Sequence, residues 1–419
     1  MAYFHRLLES LLEDTVNTRA LVYLNGMRQC GKSTIVQNLS IRKKLNYITF
    51  DNPPVLAFAQ NDPAGFMQQL PQDKLNIIDE IQLAPELFRY FKMAIDEKRL
   101  GTKDRALFLL TGSANIFALP ELADALVGRM STMTLYPFSI SEIKGTGVNF
   151  IEKLWNTDLT PQKYTRAKIA EIISAATFPE IALSKKKNRH QWFNDYITTI
   201  LQRDVRVLAD IKNPENIYHL LAALSQRAAC LLNNANVMKD TGFDAKTYEK
   251  YKALCSSTFL IFELPSWSKP NKLDKRFVKQ KKLFFTDTSL LCHLMQRDMN
   301  EVSANDKTTM GHLFENFIAT EIMKATKSLG AFSVSHFNPV QYQGKEVDFV
   351  IENQKGDAVG IEVKLDGTIN AKDWANMTVL SETLGKKFTK GIIIYTGTEL
   401  VPVGRNIWAV PVNYLWEKD

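Results

Sequence analysis

One stretch near the N-terminus constrains the fold more than any other part of the chain. An apolar run at residues 21–24 precedes the pattern G-x-x-x-x-G-K-S at residues 26–33. Gly26 and Gly31 allow the backbone to turn so that its N–H groups point inward around a phosphate chain. The stretch therefore predicts a buried strand, a phosphate-binding loop and a helix, which together begin an α/β nucleotide-binding domain.

The residue types within this loop match the chemistry of a bound nucleoside triphosphate. Lys32 supplies a positive charge for the outer phosphates, and the hydroxyl of Ser33 can ligate Mg²⁺. The positive N-terminal end of the following helix favours the same phosphates. We expect ATP and Mg²⁺ to bind along the whole loop, at Gly26, Arg28, Gln29, Cys30, Gly31, Lys32, Ser33 and Thr34.

Two further apolar runs end in polar residues that suit the same site. The run at residues 75–78 ends in Asp79 and Glu80. We expect Asp79 to hold the Mg²⁺ ion, and Glu80 to orient and polarise the attacking water. The run at residues 106–110 is followed by Thr-Gly-Ser, in which Ser113 could sense the γ-phosphate or belong to an ordinary turn.

Arg129 can be interpreted in two ways. It could reach a γ-phosphate of its own chain or of a neighbouring subunit, as an arginine finger does. Alternatively, it is a solvated or structural arginine, and its spacing alone favours this second interpretation. The sequence does not distinguish action in cis from action in trans.

The composition sets the broad class of the protein. A length of 419 residues predicts two or three domains, and 45% hydrophobic with 23% charged residues is ordinary for a soluble globular protein. No apolar run reaches membrane-spanning length, so no membrane contact is expected. The four cysteines form no close pairs, which predicts neither zinc nor disulfides and favours a cytoplasmic location. The net charge of +7 permits nucleic-acid binding without requiring it.

The middle of the chain predicts helices and then a winged helix. A helix-turn-helix pattern at residues 217–264 is followed by a lysine-rich hairpin tip at residues 266–280. Asp244 is the expected N-cap of the helix that carries Tyr248 and Tyr251, which we place near a DNA groove. Contact with DNA and contact with another protein both remain open. The Arg203-Asp204 pair upstream could be a structural ion pair or a contact with the N-terminal domain.

Acidic residues recur in the C-terminal part at characteristic positions. Glu315 lies on a predicted helix, Asp348 on a strand, and Glu362 and Lys364 on its hairpin partner. This is the layout of the PD-(D/E)XK nuclease fold, whose carboxylates hold Mg²⁺ ions that polarise a phosphodiester. We expect Asp348 and Glu362 to be ligands, Glu315 to act through water, and Lys364 to orient the nucleophile or stabilise developing charge.

These motifs together resemble one family, the prokaryotic AAA-type ATP-binding proteins that carry a C-terminal domain of unknown function. The resemblance implies an AAA-type ATPase over the N-terminal domain and covers nearly the whole chain. Cys30 is a small departure, since relatives often have an aliphatic residue there. The matching stretches are residues 26–34, 79–82 with Pro85, 110–113, 128–129, 135–138, 196–205, 285–288, 311–316, 346–348 and 362–364.

The sequence thus predicts an α/β protein in four parts. These are a P-loop AAA-type ATPase domain at 1–141, a helical linker region at 142–215, a winged-helix domain at 216–297, and a restriction-endonuclease-like domain at 298–419. The leading hypothesis is an ATPase that couples its nucleotide state to a DNA-directed, Mg²⁺-dependent nuclease domain. The alternative is a nucleotide-controlled switch whose C-terminal domain is an inactive docking module. Expected partners are DNA, a second copy of the chain or a partner protein.

Overall fold

The computed structural model describes residues 3–98, 107–115, 128–156, 158–184, 188–209, 213–268, 280–339 and 345–418. A five-stranded sheet organises the N-terminal part and a seven-stranded sheet the C-terminal part, with a two-stranded sheet between them in sequence. Within the described residues, no helix is both long and apolar enough to cross a membrane.

The N-terminal sheet is entirely parallel. Its strands are β1 Leu21–Gly26, β2 Leu45–Thr49, β3 Leu75–Asp79, β4 Phe108–Gly112 and β5 Met130–Leu135, and its helices are α1 Glu9–Thr18, α2 Lys32–Gln37, α3 Pro53–Asn61, α4 Pro63–Gln69 and α5 Leu87–Lys98, with a 3₁₀ turn at Ile81–Leu83. The strand order is β2-β3-β4-β1-β5. Because the carboxyl ends of parallel strands meet at one edge, β1, β3 and β4 bring the loops that follow them to the same place.

Strand β1 is buried along its whole length. Successive side chains of a strand point to opposite faces of the sheet. Accordingly, Val22 and Leu24 pack in one hydrophobic cluster, whereas Leu21 and Tyr23 pack in another. The strand that precedes the P-loop is therefore fixed from both sides.

The middle of the chain is mainly helical. Its elements are α6 Ile140–Ile143, α7 Phe150–Asn156, β6 Gln162–Lys163, α8 Ile169–Ser174, α9 Pro179–Ala182, α10 Arg189–Thr199, α11 Val205–Leu208, α12 Glu215–Ser225, α13 Asn234–Thr241, α14 Ala245–Ser257, β7 Ile261–Leu264 and β8 Lys282–Phe285. A π-helical turn at Ile200–Asp204 joins α10 to α11. Strand β6 is added to the C-terminal sheet.

Helices α12 to α14 and the antiparallel pair β7–β8 follow one another in the order expected of a winged helix. The N-cap prediction at Asp244 is confirmed, since its carboxylate accepts a hydrogen bond of 3.0 Å from the Thr247 N–H. The rings of Tyr248 and Tyr251 are buried within the protein, and the placement of their helix near a groove stays a prediction. Most of the predicted wing, residues 269–279, lies outside the described residues, and the winged-helix assignment stays a prediction.

The C-terminal part is a mixed sheet with helices. Its elements are α15 Thr288–Met295, α16 Met299–Asn305, α17 Lys307–Leu329, β9 Phe332–Phe337, β10 Val347–Asn353, β11 Ala358–Lys364, a 3₁₀ turn Ala371–Trp374, α18 Ala375–Leu384, a 3₁₀ turn Gly385–Lys387, β12 Phe388–Tyr395, β13 Glu399–Gly404, β14 Ile407–Pro411 and a 3₁₀ turn Val412–Leu415. Strands β9, β10 and β11 are antiparallel neighbours, and β12 runs parallel to β11 after α18. The nuclease-like fold stays a prediction, although its αβββαβ order is present.

The parts of the chain share one apolar core. A single hydrophobic cluster contains Leu12 of α1, Leu220 of α12 and Ile392 of β12. The 23-residue helix α17 also carries two buried charged groups, Glu321 and Lys324, that reach the segment just after β5. The N-terminal domain and the C-terminal sheet are thus packed together through α17.

Candidate functional site

The P-loop leaves β1 through a backbone conformation that only glycine accommodates. Gly26 has φ of 149°, and a Cβ built on it would lie 2.1 Å from the carbonyl oxygen of Leu135. The loop then enters α2 at Lys32, whose side chain is buried. The Lys32 ammonium donates hydrogen bonds to the carbonyl oxygens of Gly26 and Met27, at 3.0 and 2.8 Å. The ammonium therefore lies inside the loop predicted to surround the phosphates.

Asp79 lies beside the P-loop hydroxyl, as a Mg²⁺ site requires. The Ser33 hydroxyl donates to Asp79 Oδ2 at 2.7 Å. The Tyr47 hydroxyl donates to the same oxygen at 2.5 Å, and Thr111 donates to the other oxygen. A hydroxyl and a carboxylate oxygen in contact are the hard ligands that Mg²⁺ prefers. The residues present therefore fit a Mg²⁺ ion that accompanies a nucleotide.

Tyr47 and Thr111 are site residues that the sequence does not reveal. Tyr47 lies in β2 and carries no motif. Burial and the hydrogen bond to Asp79 raise the pKa of Tyr47 to about 12, so it remains a donor at neutral pH. Both hydroxyls orient the Asp79 carboxylate, which is how supporting groups tune a metal ligand.

Glu80 follows Asp79 in a left-handed backbone conformation, with φ of 60°. Such a conformation is uncommon for a residue with a side chain and recurs at functional sites. The Glu80 carboxylate accepts from Gln82 Nε2, and Ser113 Oγ lies 3.4 Å from it. Burial raises the pKa of Glu80, while the nearby Lys32 charge opposes that shift. Glu80 is thus held in place by side chains from its own loop and from the end of β4.

Ser113 also lies 3.2 Å from Asp204 Oδ1, in the π-helical turn of the middle segment. A hydroxyl carries one proton, so Ser113 can donate to Glu80 or to Asp204 but not to both at once. Asp204 in turn pairs with Arg28 of the P-loop at 3.1 Å. Burial raises the pKa of Asp204, and Arg28 lowers it. The middle segment therefore contacts both the P-loop and the tip of β4.

The Arg203-Asp204 pair makes contacts with the N-terminal domain. Arg203 pairs with Asp51 after β2, while Asp204 pairs with Arg28. Of the two interpretations that the sequence left open, the geometry favours the contact with the N-terminal domain.

Arg129 pairs with Asp96 of α5. The distance from Arg129 Nε to Asp96 Oδ1 is 2.8 Å, and the hydrogen bond raises the pKa of Arg129. This surface ion pair supports the structural interpretation of Arg129. The arginine-finger role stays a prediction.

The predicted acidic residues of the C-terminal domain lie close together. Asp348 Oδ2 accepts from the backbone N–H of Val363, which lies between Glu362 and Lys364 on β11. Lys364 Nζ donates to Glu362 Oε1 at 2.7 Å. Glu315 reaches the same place from α17 through a shared partner, Lys282.

Lys282 is the residue at this site that sequence reasoning missed. It begins β8, and its side-chain nitrogen lies 2.6 Å from Glu315, 2.7 Å from Glu346 and 3.0 Å from Asp348. Burial alone would lower the pKa of Lys282, but the carboxylates raise it well above its usual value. Its only sequence signal is that it follows the lysine-rich hairpin tip predicted at residues 266–280, a position that does not point to the acidic site.

Two carboxyl groups at this site have a raised pKa. Burial, with a contribution from Asp348, raises the pKa of Glu362 to about 8. Burial also raises the pKa of Glu315 well above its usual value. Among the described residues, no group of three or more His, Cys, Asp or Glu side chains is arranged to hold a metal ion. The oxygen donors suit Mg²⁺, but the Lys282 ammonium lies among them, so a divalent ion does not fit the site as arranged.

Family comparisons divide the chain into three matched regions. Residues 18–144 match the model of an AAA domain. Residues 166–301 match a domain of unknown function, DUF8612, and residues 310–415 match another, DUF4143. No curated protein matches this chain.

Solved structures give weaker similarities. A Walker-type ATPase of Pyrococcus abyssi is 14% identical, with a TM-score of 0.42, over 70% of this chain and 96% of that one. A single-residue variant of Thermotoga maritima RuvB is 17% identical with a TM-score of 0.28, over 62% and 87%. The replication initiator DnaA bound to AMPPCP and single-stranded DNA is 12% identical with a TM-score of 0.31, over 61% and 88%. These scores carry no argument about function. With the family match and the P-loop geometry, residues 18–144 form an AAA-type P-loop ATPase domain.

Proposed function

We propose that this protein binds and hydrolyses ATP and transmits the nucleotide state to its middle and C-terminal segments. ATP binding and hydrolysis are supported by one observation. Four residues lie together at one edge of the parallel sheet: Lys32, Ser33, Asp79 and Glu80. This arrangement supplies a phosphate cradle, oxygen ligands and a buried carboxylate next to each other. Phosphoryl transfer to water depends chiefly on such positioning.

The chain's own groups divide the work of hydrolysis. The P-loop N–H groups and Lys32 bind the β- and γ-phosphates, and Ser33 and Asp79 would hold Mg²⁺, which neutralises phosphate charge when bound. Glu80 orients a water toward the γ-phosphorus and takes up its proton. The new P–O bond forms as the bond to the β–γ bridging oxygen breaks, which yields ADP and inorganic phosphate. A raised pKa makes Glu80 a better proton acceptor than an exposed carboxylate.

Transmission to the middle segment is supported by contacts at the tip of β4. Ser113 lies between Glu80 and Asp204. Two residues later, the Asn115 N–H donates at 2.8 Å to the carbonyl oxygen of Ser257, the last residue of α14. A change at the γ-phosphate that moves Ser113 would therefore alter the contacts of both the π-helical turn and the end of α14.

Transmission to the C-terminal segment is supported by a second, buried route. The Arg6 guanidinium donates to the carbonyl oxygen of Cys30 in the P-loop at 3.0 Å. It also donates to the carbonyl oxygen of Tyr136, just after β5, at 2.7 Å. Just beyond, Lys324 of α17 donates to the Phe138 carbonyl at 2.8 Å, and Glu321 accepts from the Ile140 N–H at 3.0 Å. Helix α17 also carries Glu315. Buried ion pairs and hydrogen bonds thus connect the P-loop to the acidic C-terminal site.

Two functions remain for the C-terminal segment, and each has an observation in its favour. The closeness of Glu315, Asp348, Glu362 and Lys364 favours a DNA-directed nuclease. The Lys282 ammonium among these carboxylates favours the metal-free docking module. The element order of α12 to β8 supports DNA as a partner in either case, and a second copy of the chain or a partner protein is the other candidate.

ATP binding and turnover test the proposal. Lys32→Ala should abolish nucleotide binding, whereas Glu80→Gln should retain binding and lose turnover, because its amide cannot take up the water proton. Wild-type turnover should change when linear, branched or single-stranded DNA is added if DNA is the partner. Equal turnover by wild type and Glu80→Gln would remove Glu80 from its role, and no ATP binding by wild type would overturn the proposal.

A further inference from the structure

The ammonium group of Lys282 is a charged group brought into the C-terminal site from another part of the chain. Lys282 lies at the start of β8, paired with Leu264 of β7, and its backbone also bridges to Leu231. The carboxylates that it contacts come instead from α17 (Glu315), from the residue just before β10 (Glu346) and from β10 itself (Asp348). The cation therefore belongs to the middle segment and its anions to the C-terminal segment.

The contacts of Lys282 satisfy an ammonium group. Its side chain is 4% exposed, and its nitrogen donates hydrogen bonds to Glu346 and Asp348 at 2.7 and 3.0 Å, beside an ion pair of 2.6 Å with Glu315. An ammonium has three N–H donors. Each donor thus has a carboxylate next to it, and the positive charge offsets anions that would be costly to bury alone.

A divalent ion would need the same oxygens. Mg²⁺ and Mn²⁺ take carboxylate oxygens at close range, and a positive charge at the centre of the oxygen set repels them. Two carboxylate oxygens at this site, Glu315 Oε1 and Glu362 Oε2, are buried without a hydrogen-bond partner among the described residues, and the first of them lies 2.6 Å from the Lys282 nitrogen. Without the lysine, the carboxylates of Glu315, Glu346 and Asp348 that now surround its nitrogen would be left with no cation between them.

We propose that Lys282 is a built-in cation that replaces the divalent metal of the nuclease-like site. The C-terminal segment then keeps its acidic cluster without binding Mg²⁺, and the cluster fastens it to the middle segment. The inference rests on the proposed function and deepens it, because it assigns the C-terminal segment to the docking alternative rather than to metal-dependent cleavage.

Mn²⁺ binding to the full chain without nucleotide tests this inference, with free Mn²⁺ followed by its electron paramagnetic resonance signal. Wild type and Asp348→Asn should bind Mn²⁺ equally, because Asp348 already holds Lys282. Lys282→Met should bind one additional Mn²⁺ per chain. Its affinity for Mn²⁺ at this site should exceed that of wild type by about tenfold or more. The double variant Lys282→Met/Asp348→Asn should lose that additional ion.

The matched control is Lys281→Met. Lys281 is the neighbouring lysine and forms a partly buried pair with Glu263 at 3.2 Å, so its loss removes the same charge outside the cluster. Its Mn²⁺ binding should equal that of wild type. Circular dichroism would show whether Lys282→Met is folded.

Two results would overturn the inference. One is a Mn²⁺ ion bound by wild type and lost in Asp348→Asn, a comparison that does not depend on the folding of Lys282→Met. The other is a folded Lys282→Met that gains no ion. ATP turnover is a separate measurement, so a failure here is distinguishable from a failure of the proposed ATPase.

Discussion

Asp204 Oδ1 lies 3.1 Å from Arg28 Nη1, although the two residues are 176 positions apart in the chain. Arg28 belongs to the P-loop and Asp204 to the π-helical turn between α10 and α11. The pair is partly buried, with the Asp204 side chain only 3% exposed. An anion from the middle segment therefore engages a P-loop arginine close to where phosphates are expected.

Neutralising Asp204 should strengthen ATP binding. Asp204→Asn removes a negative charge near the phosphates and releases Arg28 to contact them, so the Kd for ATP should fall by about three- to tenfold. Isothermal titration calorimetry measures this directly. Asp51→Asn is the control, because Asp51 is an exposed carboxylate paired with the neighbouring Arg203 and its loss should change the Kd little. Weaker ATP binding in Asp204→Asn would instead mean that Asp204 organises the loop.

Removing the Tyr47 hydroxyl should weaken the Mg²⁺ site without weakening the phosphate cradle. In Tyr47→Phe the Asp79 carboxylate loses one donor that orients it, and the Mg²⁺ concentration for half-maximal turnover should rise by about tenfold. Nucleotide binding measured in EDTA should not change. Tyr23→Phe provides a matched control, since the Tyr23 hydroxyl donates to the Ala114 carbonyl rather than to Asp79. An unchanged Mg²⁺ dependence would exclude Tyr47 from this role.

Arg129→Ala should retain most of the ATP turnover. The guanidinium is already paired with Asp96, and an ion pair at the surface contributes little. Loss of a true arginine finger would lower turnover by about a thousandfold or more. Steady-state turnover at several protein concentrations separates the outcomes, because a finger acting in trans would also make specific activity rise with concentration. Asp96→Ala should behave like Arg129→Ala if the pair is structural.

His293 should make stability depend on pH. Burial, with a contribution from His190, lowers the pKa of His293 to about 4 from an ordinary 6.5. The unfolded chain therefore binds a proton more readily than the folded one. The contribution of His293 to stability is fully present above about pH 6.5 and is lost as the pH falls toward 4. Urea denaturation at a series of pH values should show this decline in wild type and a shallower one in His293→Gln. Equal slopes would contradict the assignment.

The sequence predicted the parts of the ATP site that follow single strands. The P-loop, Asp79, Glu80 and Ser113 could be placed together because parallel strands end at one edge. Tyr47 and Lys282 could not, since each is brought in by packing between distant segments and no local pattern marks it; the sequence marked Asp204 but left its contact open. The burial of Tyr248 and Tyr251 could not be predicted either. A helix pattern alone does not show whether a polar-tipped ring faces the surface or the core.

The two-residue strand β6 has a practical consequence for anyone who divides this chain. Gln162 and Lys163 pair with Leu400 and Glu399 of β13 at the edge of the C-terminal sheet, although the two strands are far apart in the sequence. A fragment that starts at residue 310, where the last family match begins, would leave the start of β13 unpaired and would expose the side of α17 that packs against the middle segment. Such a fragment is expected to aggregate, so nuclease or docking assays are best made on the undivided polypeptide.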